Sequence, residues 1–112
     1  MKYSNLLAFA VLINTVLFTE SVLLYIQNDT PKIIKYARNE SSVMLYNVKP
    51  GSRASTTSEN LQALYAKYED SPIYRKLNLG TALQDAHNGV SSVIHIVPGT
   101  VYGVKVGSIE KK

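Results

Sequence analysis

Two histidines, His87 and His95, are the side chains of this 112-residue sequence best matched to acid–base or metal chemistry near neutral pH. Asp85 stands two residues before His87, an offset that sends side chains to different faces of a helix, so the two do not read as a catalytic dyad. His87 reads instead as a cation near a helix C-terminus. His95 alternates with Ile94 and Ile96, which places it on the outward face of a strand. A zinc-like site needs a third and fourth ligand, and none can be placed around either ring. No serine lies in a Gly-x-Ser-x-Gly elbow or beside a credible base, and no glycine-rich loop is built for phosphates. The absence of cysteine excludes thiol catalysis, disulfides and thiolate metal sites together. The expectation is a protein that is not an enzyme, holds no metal or cofactor, and acts by binding.

For binding chemistry the sequence offers tyrosines and a mild positive charge. Eight tyrosines with no tryptophan is a high count for this length. Tyr65 and Tyr68 fall on an apolar stripe and are expected in the core, whereas Tyr25, Tyr36, Tyr46 and Tyr102 fall on strands where some face outward and could stack on sugars or a protein. The net charge of +4 survives removal of residues 1–21, where Lys2 and Glu20 cancel. Lys32, Lys35, Arg38, Lys49, Arg53, Arg75 and Lys76 are scattered along the chain and belong to no nucleic-acid motif. The expected partners are a protein or an anionic envelope polymer, not a nucleic acid or a small molecule.

The elements that must position these residues follow a change of pattern at Val22. Branched and aromatic runs at 22–27, 32–37 and 43–48 read as three strands in a meander, the middle one an edge. Lys49-Pro50-Gly51-Ser52 is a turn, with Pro setting φ and Gly accepting φ > 0. Thr56-x-x-Glu59 matches a capping box, followed by Leu61, Leu64, Tyr65 and Tyr68 at helical spacing, which predicts a first helix. Ser71-Pro72 opens a second, with Ile73, Leu77, Leu79, Ala82, Leu83 and Ala86 as its stripe and Asn88-Gly89 as its end. Residues 91–97 and 100–107 read as a hairpin. The predicted fold is α+β, a two-layer domain over 22–112 with an antiparallel sheet of about five short strands and a helix pair on one face.

Ahead of it, Lys2 and the apolar run from Leu6 to Phe18 read as the n-region and h-region of a targeting helix. Thr19 and Ser21 supply the small residues for cleavage, giving a signal peptide over 1–21 and an exported protein, secreted or periplasmic. The alternative is an anchor over 6–26, about 31 Å long at 1.5 Å per residue, and hence a single-pass structural subunit of a membrane complex. Membrane contact through residues 6–26 is common to both. Asn39-Glu40-Ser41 and Asn28-Asp29-Thr30 fit the N-glycosylation pattern.

Asp70-Ser71-Pro72-Ile73-Tyr74-Arg75-Lys76-Leu77, running through Ala82-Leu83 to Val93-Ile94-His95-Ile96-Val97-Pro98, is similar to the helix-then-strand tail of band-7 family membrane scaffolds. The chain lacks that family's Ala/Glu-rich coil and has no room for its main domain, so no site residue is carried over.

Overall fold

The computed structural model describes residues 22–39, 45–99 and 103–112. The targeting segment at 1–21, the Glu40-Ser41 part of one glycosylation pattern and Tyr102 lie outside them. Among the described residues eight strands and one helix follow in order: β1 Leu23–Asn28, β2 Ile34–Ala37, β3 Tyr46–Val48, β4 Arg53–Thr57, β5 Tyr65–Tyr68, β6 Arg75–Lys76, α1 Ala82–His87, β7 Ser92–Pro98 and β8 Val104–Lys111. They form two four-stranded sheets, here sheet I in the order β4-β1-β7-β8 and sheet II in the order β3-β2-β5-β6. The expected single sheet carrying a helix pair is therefore corrected to two sheets sharing a core. Among the described residues no helix is long and apolar enough to cross a membrane.

Alternation explains most of this. In β1, Leu24, Ile26 and Asn28 are buried while Leu23, Tyr25 and Gln27 are not, and Ile94 and Ile96 of β7 lie in register beside Ile26 and Asn28. On sheet II, Ile34 and Tyr36 of β2 are buried in register with Val48 and Tyr46 of β3 and with Tyr68 and Ala66 of β5. Leu24, Ile26, Ile94 and Ile96 of sheet I and Ile34, Tyr36, Val48 and Ala66 of sheet II, with Leu61, Leu64, Leu77 and Leu79, make one apolar cluster, while Tyr46 stays exposed. Burying a strand's apolar row in this way is the main force holding the sheets together.

Neither predicted helix over 56–86 forms as expected. Thr56 Oγ1, the cap acceptor, instead receives a hydrogen bond from Arg38 Nη1 at 3.1 Å, and Asn60 takes a positive φ of 58°. Leu61 and Leu64 are buried in an irregular segment, and Tyr65 to Tyr68 extend as β5 because sheet II needs a partner for β2. The same pairing makes β2 an interior strand, not the expected edge. Downstream, Ser71 Oγ accepts from the Ile73 N–H at 3.2 Å, but the chain then extends into β6, and Leu77 N–H donates to Leu64 O at 2.8 Å. A helix-then-strand tail is thus absent at residues 70–77. Helix begins only after Gly80, whose φ is +55°, and lasts six residues to Asn88-Gly89.

The expected meander is split between sheets, β1 lying in sheet I and β2 and β3 in sheet II, and the Pro50-Gly51 turn hands the chain back from β3 to β4 in sheet I. Gly51 has φ +76°, and Ser52 N–H closes the turn on Lys49 O at 3.0 Å. The hairpin of β7 and β8 is antiparallel as predicted, with Gly107 as an extra residue where the register shifts between His95 and Ile96. A Cβ at Gly107 would stand 2.7 Å from Val97 Cγ1, so the bulge requires glycine.

Candidate functional site

Four features of the surface bear on function, and the outer face of sheet II is the most distinctive. Register places Lys35 of β2 directly beside Lys67 of β5, with Asn47 of β3 on the other side. Lys76 of β6 pairs Tyr65 one step along the same face. None of the four strands of sheet II contains an acidic residue. Like charges opposed across a ladder repel, so this arrangement costs stability in the isolated domain. Lys67 is partly tethered: its Nζ donates to Ser71 O at 2.7 Å and lies 5.2 Å from the Tyr74 ring. Of the cations that look scattered in sequence, strand pairing brings Lys35 and Lys76 to this face beside Lys67.

The second feature is a cleft of about 540 Å³ between the ends of the two sheets, lined by Arg75, Lys76, Leu77 and Asn78 on one side and by Gly99, Val104, Lys105 and Val106 on the other. Three cations and no acid line it. Consecutive residues of β6 and β8 contribute, whereas a sheet face would contribute alternate ones, so the cleft looks onto strand edges. Both are terminal strands of their sheets. Arg75 reaches across toward the start of β8: a Cβ at Gly103 would collide with its Nε and Cδ, so glycine there makes room for the guanidinium arm. A shallower depression of about 410 Å³ continues past Leu77 and Asn78 to Leu79 and Leu83.

The third feature is a dyad that sequence spacing hid. His95 Nδ1 lies 2.7 Å from Asp29 Oδ2, 66 positions away in the chain. A carboxylate can only accept, so the imidazole N–H donates and Nε2 is turned outward. Asp29 is held in place by its own N–H on Ile96 O at 2.8 Å and by the Asn28 hub beneath it. Buried Asn28 donates through Nδ2 to Lys32 O and Val48 O, both at 2.8 Å, and accepts from Thr30 N at 2.9 Å and Thr30 Oγ1 at 2.6 Å. Asn28 of the second glycosylation pattern is thus a structural side chain, with no exposed surface. His95 Nε2 faces Glu110 Oε1 at 3.9 Å, so the relay ends on a second carboxylate and not on a nucleophilic hydroxyl. Among the described residues no three His, Asp or Glu side chains are grouped to hold a metal ion. His87 is exposed in the last turn of α1, and Asp85 turns away from it to Thr81 Oγ1 and Lys111 Nζ at 3.2 and 3.5 Å.

The tyrosines are largely committed to one another or to cations. Tyr36 and Tyr46 stack with centroids 5.0 Å apart. Arg53 and Lys112 lie over Tyr25, and Lys32 lies 5.6 Å from the centre of the Tyr68 ring. Tyr65 and Tyr68, expected in the core, are half-buried on β5. Burial raises the phenol of Tyr36 above its ordinary value, the neighbouring Tyr46 adds to the rise, and Arg38 opposes it. Burial likewise raises Tyr74, whose hydroxyl has no hydrogen-bond partner among the described residues.

No protein-family model matches the chain, and neither a curated protein nor a solved structure shows significant similarity to it.

Proposed function

We propose that this protein is an exported, non-catalytic domain that works by binding an anionic partner, an acidic protein or an envelope polymer, through the cationic side of sheet II. The observation that carries the reading is the juxtaposition of Lys35 and Lys67, with Lys76 beside them, in strands without an acidic residue. An anionic ligand would convert this repulsion into attraction, which gives the unfavourable pairing a role.

Equilibrium binding of fluorescent poly(glycerol phosphate) and polyglutamate tests it at two salt concentrations. At least one should bind, weaken as salt rises, and lose about tenfold or more in affinity on combined Lys35→Glu and Lys67→Glu substitution. Unchanged affinity in that variant would sink the reading. Export is tested separately on protein from the native host: intact mass and N-terminal sequencing should show a chain starting at Val22, whereas a start at Met1 would support the anchored structural subunit.

A further inference from the structure

We propose that the cleft between β6 and β8 is a strand-acceptor site, and that its occupant is an extended acidic peptide segment of a partner protein that adds to the outer edge of β8, which pairs with no strand among the described residues. This deepens the reading above, on which it rests, by naming the partner and how it is held. Three observations converge. β8 is the terminal strand of sheet I and β6 the terminal strand of sheet II, so both present backbone N–H and C=O groups on the side away from their neighbours. The cleft is lined by consecutive residues Val104, Lys105 and Val106, so those edges are what an occupant meets. Lys76 and Lys105 are exposed on its two walls, with Arg75 between them, and no acidic side chain lines it.

The chemistry favours a peptide over a phosphate polymer in this place. A strand edge offers donors and acceptors in alternation at a repeat of about 3.3 Å, which another peptide backbone matches. A polyphosphodiester backbone could accept from the lysines and the edge N–H groups, but it has no regularly spaced N–H to give the edge carbonyls. Charge selects acidic side chains, and the half-buried Val106 suits a branched residue between them. The Gly107 bulge interrupts the edge, so regular pairing is expected over Val104 to Val106.

The probe is a fluorescein-labelled acetyl-Glu-Val-Glu-Val-Glu-Val-Glu-amide, compared with its Lys-for-Glu counterpart and with a version N-methylated at alternate backbone nitrogens. The acidic peptide should bind saturably to the full chain, the basic one should not, and N-methylation should weaken binding about tenfold or more. Lys76→Glu and Lys105→Glu, both at exposed positions, should each weaken it severalfold while leaving the thermal midpoint unchanged. Amide exchange at Val104 to Val106 should slow only with the unmethylated acidic peptide. Equal binding of the methylated peptide, or no slowing of exchange, would overturn strand addition. If poly(glycerol phosphate) still binds in a Lys35- and Lys67-dependent way, the general reading survives that failure; if no polyanion binds, both fall. Slowing of the same amides by the polymer would also count against a peptide-specific site.

Discussion

At the scale of single residues, the side chains that matter most are those whose partners lie far away in the chain. Asn28 is the clearest example: four hydrogen bonds converge on one buried amide and hold the β1–β2 loop against β3. Asn28→Ala would take their partner from the buried Val48 carbonyl and the Thr30 N–H and should cost about 2–3 kcal/mol in urea denaturation. Lys35→Glu should have the opposite sign, raising stability by about 0.5 kcal/mol by turning the repulsion with Lys67 into attraction, while weakening polyanion binding. Stability and binding moving in opposite directions would mark the lysine pair as functional. Tyr36 gives a pH prediction. Its folded-state pKa is raised, so the unfolded chain releases the phenolic proton first, and the associated stability is intact below pH 10 and lost above it. Thermal midpoints should fall above about pH 10, and more gently in Tyr36→Phe. Residue type alone revealed the histidines and tyrosines as candidates, but Asp29 was invisible as the partner of His95 because nothing local links them.

At the scale of elements, periodicity was reliable where one strand had an apolar row and unreliable where short strands imitated a helix. The positions of β1, β2, β7 and the β7–β8 hairpin follow from alternation and turn residues, within a few positions at each end. The stripe Leu61, Leu64, Tyr65, Tyr68 fits a helix as spacing, yet its residues serve a loop and β5, because two buried leucines before a four-residue strand produce the same intervals. Thr56 could have capped a helix, but Arg38 occupies its oxygen. Because β1 sits between β4 and β7, Ile26→Ala should cost about 2–5 kcal/mol by chemical denaturation, as expected for a fully buried isoleucine. A loss under 1 kcal/mol would mean the core closes differently.

For the whole molecule, the decisive fact is that the end of the hydrophobic segment, from Leu23 on, is built into a sheet. Leu23–Asn28 is the second strand of sheet I, with Leu24 and Ile26 fully buried. A chain trimmed to start at Val22 should therefore keep the melting midpoint of the full chain, while one trimmed to start at Asp29 should fail to fold. Cleavage after Ser21 would leave this sheet complete, whereas a membrane helix continuing to Ile26 would have to dissolve it. By itself the sequence determined the lack of thiol chemistry, the net positive charge, the Pro-Gly turn and the residues of several strands, since these depend on composition and on neighbours within a few positions. Only the tertiary structure decided which strands pair, and so which lysines face one another, which carboxylate meets His95, and where two sheet edges open a cleft. Those are contacts between distant segments, and one core's demand for partners overrode the local preference for helix.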